Sequence, residues 1–143
     1  MKPSKTLIID LDGTIALDDN LSYTDKHPNL PLVKKLKAYK KQGFKIVIFT
    51  SRAMRTFNGN IEQIKANALP AILMWLKKHK IPYDEVMVGK PWCGEHGFYV
   101  DDRAVRPSEF ANLNFSEITH LLENEKSVNL AQNMQDSAPK DTK

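Results

Sequence analysis

The chain has 143 residues, of which 41% are hydrophobic and 27% charged, a balance typical of one globular domain. No apolar run approaches the roughly 20 residues that a membrane-spanning helix needs. The apolar stretch at residues 7–9 is interrupted by Asp10, so we expect neither membrane insertion nor a signal peptide. The single cysteine, Cys93, excludes an intramolecular disulfide and is typical of a reducing compartment. A cytoplasmic protein is therefore expected.

The charge balance is basic, with 21 Lys and Arg against 17 Asp and Glu, a net charge of +4. Six lysines fall in or just after one predicted helix: Lys34, Lys35, Lys37, Lys40, Lys41 and Lys45. Lysines spread over a helix are usually a solvated face, and the chain carries no nucleic-acid motif and no interleaved aromatic and arginine residues. We therefore expect a small anionic substrate and no nucleic-acid partner.

Apolar runs alternate with helical patterns along the first half of the chain. Residues 5–10 form a short, nearly continuous apolar run that ends in acids, which predicts a strand buried on both faces of a parallel sheet. Residues 15–30 are polar, and Pro31 then begins a helix that Gly43 ends. Residues 44–49 form a second apolar run, which predicts a second strand.

The second half continues the alternation and then becomes polar. The predicted elements are an extended loop with at most a short helix over 53–67, a helix from Pro70, strands over 85–88 and 98–100, and a helix from a Ser116 cap to about Leu122. Polar residues dominate from Glu123 onward, which predicts a disordered tail over 123–143 and a core domain over 1–122. Strands alternating with helices predict an α/β sandwich with a mainly parallel sheet.

Reactive side chains follow four of the predicted strands: Asp10 and Asp12, then Thr50, then Lys90, then Asp101 and Asp102. Because the carboxyl ends of parallel strands line one edge of a sheet, we expect these side chains to converge on one pocket. Asp10 and Asp12 are one residue apart, so an extended backbone points both the same way.

Four carboxylates in one cleft repel each other unless a cation neutralises them. Carboxylate oxygens select a hard metal, and Mg²⁺ held by a few carboxylates and a substrate phosphate is the natural choice. Lys90 adds a positive charge, and the Thr50 hydroxyl can donate to an oxyanion. The combination predicts a site for a phosphoryl group.

These motifs resemble those of the haloacid dehalogenase-like phosphohydrolase superfamily. Residues 7–14 are similar to its first motif, residues 46–50 to its second, Lys90 to its third and residues 98–102 to its fourth. All four occur in the family's order, and the resemblance spans about residues 5–122. It implies a Rossmann-like three-layer α/β/α sandwich and a phosphomonoesterase activity.

The resemblance also implies a role for each matched residue. Asp10 would be the nucleophile that becomes an aspartyl phosphate, and Asp12 would protonate the leaving oxygen and then activate water. Thr50 would hold a phosphoryl oxygen, and Lys90 would steady Asp10 and the transferring group. For Mg²⁺ it implies the following ligands: Asp10, the main-chain carbonyl of Asp12, Asp101, and Asp102 directly or through water.

The gaps between the motifs hold about one helix and a connector each, so the chain resembles members of the family without a cap domain. The lack of a cap implies either a large or partly exposed substrate or a neighbouring subunit that covers the site. Such members are often tetramers, so a homo-oligomer, either a tetramer or a dimer, could cover the open site. Residues 50–56, 89–94 and 101–110 resemble a small bacterial group associated with capsule polysaccharide biosynthesis. That likeness implies a small phosphorylated metabolite as substrate: a sugar, sugar acid or polyol phosphate.

Five residues near the second and third motifs are candidates for substrate binding: Ser51, Arg52, Arg55, Trp92 and His96. The planar guanidinium groups of Arg52 and Arg55 could bind a phosphate or carboxylate, or could form surface ion pairs. Trp92 and His96 could line the pocket mouth or simply pack. Cys93 and His96 have the spacing of half a zinc site, but no obvious third ligand accompanies them.

Two other functions use similar residues. A receiver-like signalling module also carries an acidic pair, a phospho-accepting Asp, a hydroxyl residue and a Lys, but it places the acceptor at the end of a middle strand, where this chain has Thr50. A non-catalytic scaffold on the same fold would have a broken motif, and all four motifs are intact. Phosphomonoester hydrolysis is therefore the expected activity.

Overall fold

The computed structural model describes residues 4–136. Three strands form a parallel sheet in the order β1-β2-β3: β1 (Thr6–Ile9), β2 (Lys45–Thr50) and β3 (Glu85–Val88). Five helices accompany them among the described residues: α1 (Leu30–Lys41), α2 (Ile61–Asn67), α3 (Leu69–Lys78), α4 (Pro107–Asn112) and α5 (Phe115–Asp136). The predicted α/β fold with a parallel sheet is confirmed. The chain divides into two units, Met1–Gly97 and Phe98–Lys143.

Strand β2 lies at the centre of the sheet and of the apolar core of the first unit. Ile46 and Ile48 are fully buried, and Val47 on the opposite face is nearly so. A strand buried on both faces reads as a continuous apolar run, which is the pattern that predicted it. The register pairs Ile9 with Ile48 and Thr50 with Val88, so the three strands end at one edge.

Helix α1 connects β1 to β2 and packs through one apolar face. The Asn29 side chain accepts a hydrogen bond from the Leu32 N–H and caps the first turn, in which Pro31 also lies. Leu32 and Leu36 are fully buried, one helical turn apart. Gly43, with φ at +92°, turns the chain into β2 as predicted.

Helices α2 and α3 connect β2 to β3. The Asn60 side chain caps α2 by accepting a hydrogen bond from the Gln63 N–H. Ile64 of α2 and Ile72 and Leu76 of α3 are fully buried in the core. The indole N–H of Trp75 donates to the main-chain oxygen of Lys26 at 2.9 Å, which fixes α3 against the polar segment after β1.

The second unit contains α4 and α5 and differs from the sequence prediction at residues 98–100. This apolar segment belongs to no strand of the described chain, and Phe98 and Val100 are 80% and 89% exposed. An apolar run predicts burial, but a strand also needs a hydrogen-bonded neighbour, and that neighbour is not a local property of the sequence.

Helix α5 also differs from its prediction at both ends. Asn114 caps it in place of Ser116, because the Glu117 N–H donates to the Asn114 side chain and the Asn114 N–H to the Glu117 carboxylate. The helix continues past Leu122 to Asp136, so residues 123–136 are helical and not a disordered tail. Low apolar content correctly indicated exposure, but residues such as Glu, Lys, Leu, Ala and Gln favour an exposed helix. Residues 137–143 of the predicted tail lie outside the described residues.

No helix within residues 4–136 combines the length and the apolarity that crossing a membrane requires.

Candidate active site

A tight turn after β1 positions the first two acids. Two hydrogen bonds close the turn, from the Gly13 N–H to the Ala16 oxygen at 2.8 Å and from the Ala16 N–H to the Leu11 oxygen at 2.9 Å. Gly13 has φ at +81°, a conformation that a residue with a Cβ rarely adopts. Leu11 is fully buried and anchors the turn, while Asp10 and Asp12 on either side of it are half-buried.

Asp10 lies between a cation and a hydroxyl. Lys90 Nζ is 3.4 Å from Asp10 Oδ1, and the Thr14 hydroxyl donates to Asp10 Oδ2 at 3.1 Å. Lys90 follows β3 by two residues, so the sheet edge brings together two side chains that are 80 positions apart. A partly buried carboxylate that faces a lysine is oriented by it and neutralised in part.

Thr50 closes β2 and is 1% exposed. Its Oγ1 accepts a hydrogen bond from the Arg52 N–H at 3.1 Å, which leaves the hydroxyl proton available to another acceptor. Its main-chain oxygen accepts from the Lys90 N–H at 3.1 Å. The end of β2 therefore positions the main chain of Lys90, whose side chain contacts Asp10.

Arg52 is paired with Asp12, a contact that the sequence did not predict. The Nε atom donates to Asp12 Oδ2 at 2.9 Å and Nη2 donates to Asp12 Oδ1 at 2.7 Å. The Arg52 side chain is 4% exposed and that of Asp12 is 31% exposed. Of the two roles that the sequence left open for Arg52, the structure shows an ion pair, formed inside the site and not on the surface.

The other substrate-binding candidates lie on two exposed loops. Arg55 Nη1 is 3.3 Å from Glu95 Oε1, and its guanidinium carbon is 5.4 Å from the centre of the Trp92 ring. Ser51 is half-buried and His96 is exposed. The structure thus brings the loop after β2 against the loop after β3, and Arg55 stays 72% exposed there.

Asp101 and Asp102 belong to the second unit, and both are exposed. Asp101 Oδ1 accepts a hydrogen bond from the Arg103 N–H at 2.9 Å, which makes a short turn before α4. Within this unit the two acids line an open depression together with Glu109 and Leu121.

The residues after β1 suit a hard divalent cation. Asp10 and Asp12 offer carboxylate and main-chain oxygens, and Mg²⁺ is commonly held by one or two carboxylates with waters and a substrate phosphate. Among residues 4–136, no group of three or more His, Cys, Asp or Glu side chains could hold a metal ion by itself. The Asp10 carboxylate and the main-chain oxygen of Asp12 are the donors in the first unit that fit such a cation, since both carboxylate oxygens of Asp12 are bonded to Arg52.

The polar segment after β1 is built around Asp19. Its carboxylate accepts hydrogen bonds from the main-chain N–H groups of His27 and Leu21 and contacts the His27 ring. The His27 N–H contributes most to lowering the pKa of Asp19 from 3.8 to about 2. The segment carries Tyr23, whose ring centre is 4.0 Å from the Arg52 guanidinium carbon.

Comparison with known proteins places the chain in a family. The sequence model of the haloacid dehalogenase-like hydrolases matches residues 7–74, which include the turn after β1 and the end of β2. The crystal structure of an MCSG target from Vibrio cholerae is 53% identical, covers 85% of this chain and 98% of its own, and superposes with a TM-score of 0.83. The chain belongs to the haloacid dehalogenase-like hydrolases.

Two further solved structures match part of the chain. One is a Pnkp1/Rnl/Hen1 complex, 25% identical, with 59% of this chain and 27% of that chain covered and a TM-score of 0.47. The other is a Pnkp1/Rnl/Hen1 RNA repair complex, also 25% identical, with 60% and 25% covered and a TM-score of 0.45. No curated protein sequence matches the hydrolase.

Proposed function

We propose that this hydrolase is a Mg²⁺-dependent phosphomonoesterase that forms an aspartyl phosphate on Asp10. The contact between Asp10 and Lys90, 3.4 Å apart at the carboxyl edge of the sheet, supports the proposal most directly. A nucleophilic carboxylate must approach an anionic phosphoryl group, and a neighbouring ammonium reduces the repulsion between them. The Thr14 hydroxyl holds the second oxygen of Asp10 and restricts its rotation.

The proposed reaction has two displacements at phosphorus. In the first, an Asp10 oxygen attacks phosphorus, the ester P–O bond breaks, and the leaving oxygen takes its electron pair and a proton from Asp12. In the second, Asp12 accepts a proton from water, the water oxygen attacks phosphorus, and the bond to Asp10 breaks. Asp10 and Asp12 return to their starting states, and one alcohol and one inorganic phosphate are released.

The chain's own residues hold the phosphoryl group in this scheme. Lys90 donates to it and to Asp10, and the Thr50 hydroxyl donates to one of its oxygens. Asp10 and the main-chain oxygen of Asp12 would hold Mg²⁺, which when bound neutralises negative charge on the phosphoryl group. That Asp101 and Asp102 complete the ligand set stays a prediction from the fourth motif.

The proposed substrate is a small phosphorylated metabolite: a sugar, sugar acid or polyol phosphate used in capsule polysaccharide biosynthesis. The exposed Arg55, which lies beside Trp92, offers a cation and a flat apolar surface to such a molecule. The net charge of +4 favours an anionic ligand. The proposal includes a cytoplasmic location and a dimer or tetramer that covers the site, with neither nucleic acid nor membrane as partner.

Phosphate release tests the proposed activity. The purified full chain is assayed with Mg²⁺ against p-nitrophenyl phosphate and a panel of sugar, sugar acid and polyol phosphates. We expect EDTA to stop the reaction and Asp10→Asn to lower kcat/KM by about a thousand-fold or more, because the nucleophile is lost. Asp25→Asn is the matched control, since Asp25 is an exposed acid that bonds only to Ser22 in the described contacts. Undiminished turnover by Asp10→Asn would contradict the proposal.

A further inference from the structure

We infer that Arg52 is a positioning residue that holds the carboxylate of Asp12 in the direction from which it exchanges protons, and that Tyr23 in turn holds Arg52. This inference rests on the proposed function, in which Asp12 is the acid and base. It assigns to Arg52 a role distinct from the substrate binding that its position in the sequence suggests.

The geometry of the pair restricts the Asp12 carboxylate strongly. Two parallel hydrogen bonds of 2.9 and 2.7 Å join the guanidinium to both carboxylate oxygens. A bidentate contact fixes the plane of the carboxylate as well as its distance, which a single bond does not. The Arg52 side chain is almost fully buried, so water competes little for its donors.

The same geometry leaves Asp12 able to react. A carboxyl group has about four lone-pair sites and Arg52 occupies two of them, so the proton that Asp12 gives to the leaving oxygen can lie on one of the other two. The Asp12 side chain is half-buried and remains accessible, whereas the guanidinium is not. A buried guanidinium with its fork on Asp12 is poorly placed to bind substrate, in contrast to the exposed Arg55.

Arg52 is itself held from two sides. Its main-chain N–H donates to the Thr50 hydroxyl oxygen, which ties it to the end of β2. The Tyr23 ring lies 4.0 Å from the guanidinium carbon, within the range of a cation–π contact. The hydrogen bond from the Leu17 N–H to the His27 oxygen, at 2.9 Å, joins the two ends of the segment that carries Tyr23.

If Arg52 positions Asp12, its loss should make kcat/KM depend more strongly on the quality of the leaving group. A good leaving group such as p-nitrophenolate departs with little help, whereas phenolate needs a proton from a well-placed acid. If Arg52 holds Asp12, loss of Arg52 slows phenyl phosphate more than p-nitrophenyl phosphate. If Arg52 only supports the fold, kcat/KM falls equally for both, and if it binds the phosphoryl group, inhibition by inorganic phosphate weakens.

The experiment measures kcat/KM for the two esters and the inhibition constant of inorganic phosphate, in Mg²⁺, for the full chain. We expect Arg52→Met to raise the ratio of kcat/KM for p-nitrophenyl phosphate to that for phenyl phosphate by about ten-fold, with phosphate inhibition unchanged. Arg52→Lys keeps the charge but loses the planar fork, so the ratio should rise by an intermediate factor. Lys45→Ala, which removes an exposed ion pair with Glu85, is the control.

Variants of Tyr23 keep the test valid if the buried Arg52 does not tolerate substitution. Tyr23 is half exposed, so Tyr23→Phe should retain the ratio and Tyr23→Leu should raise it in the direction of Arg52→Met. In an Asp12→Asn background, neither Arg52→Met nor Tyr23→Leu should change the ratio further, because the group that they position is absent.

The outcomes separate this inference from the proposed function. A wild-type chain that releases phosphate from neither aryl ester nor from any member of the sugar, sugar acid and polyol phosphate panel would overturn both. Wild-type turnover combined with an unchanged ratio in folded Arg52→Met and in Tyr23→Leu would overturn the inference alone. Weaker inhibition by phosphate in Arg52→Met would also overturn it and would assign Arg52 to substrate binding.

Discussion

Asp19 shows how one carboxylate can organise a polar segment. The main-chain N–H of His27 is the principal cause of its low pKa, about 2, so the ionised form is favoured in the folded chain. Its contribution to stability is therefore complete above the ordinary value of 3.8 and is lost as the pH falls through about 2.

The pH dependence of unfolding tests this role of Asp19. We expect Asp19→Asn to lower the thermal midpoint at neutral pH and to show a smaller further loss than the wild type as the medium is acidified from pH 3.8 to about 2. Asp18→Asn is the control, since the carboxylate of Asp18 is exposed and lies next to Asp19 in the sequence. Parallel curves for Asp19→Asn and the wild type would contradict the role.

Single residues also show where sequence reasoning stops. The residues after β1 and β3 could be predicted to meet because the ends of parallel strands share one edge of the sheet, whereas Asp101 and Asp102 follow no strand of the described chain. The Asp10–Lys90 contact agrees with that expectation. The partner of Arg52 could not be predicted, because Asp12 is 40 positions away and a guanidinium at a strand end suits a substrate as well as a side chain. One feature of the sequence does point to this site: Thr50 and Arg52 are separated by a single residue, so an extended backbone would direct both side chains to the same side, towards Asp10 and Asp12.

At the scale of elements, the close packing of α2 on the exit of β3 positions Lys90. Gly89 has φ at +90°, and a Cβ there would lie 2.6 Å from Cδ1 of Ile61, the first residue of α2. A side chain at Gly89 therefore meets both backbone strain and a steric clash.

Substitution of Gly89 tests this packing. We expect Gly89→Ala to destabilise the fold by about 1–3 kcal/mol, because φ at +90° strains a residue that has a Cβ, and to lower kcat/KM, because this strained backbone leads directly into Lys90. Adding Ile61→Val removes the crowding methyl and should restore part of the activity. Gly43→Ala is the matched control: its φ is +92°, but nothing lies within 4 Å of the added Cβ. Equal activity losses in Gly43→Ala and Gly89→Ala would contradict the argument.

The elements themselves were predicted unevenly. Strands β1, β2 and β3 and helices α1 and α3 follow from apolar periodicity and from Pro and Gly at their ends, which are local signals. Residues 98–100 have the same apolarity and form no strand, because strand formation also depends on a distant neighbour. Helix α5 extends to Asp136 although its sequence predicts no packed face, because helix propensity does not require burial.

At the scale of the whole molecule, membership of the haloacid dehalogenase-like hydrolases rests on a family match over residues 7–74 and on a Vibrio cholerae structure that is 53% identical. The fold class could be predicted from the alternation of strands and helices alone. The substrate could not, because the loops after β2 and β3 carry few residues whose chemistry selects one phosphate ester over another.

The formation of a phosphorylated Asp10 is the central claim, and chemical trapping measures it directly. The full chain is mixed with p-nitrophenyl phosphate and Mg²⁺, denatured within one turnover and reduced with borohydride, which converts an aspartyl phosphate to homoserine. Peptide mass spectrometry should then find homoserine at position 10 in the wild type and none in Asp10→Asn or in chain that was not exposed to substrate. Turnover without any modification at position 10, or modification at another acid, would contradict the claim.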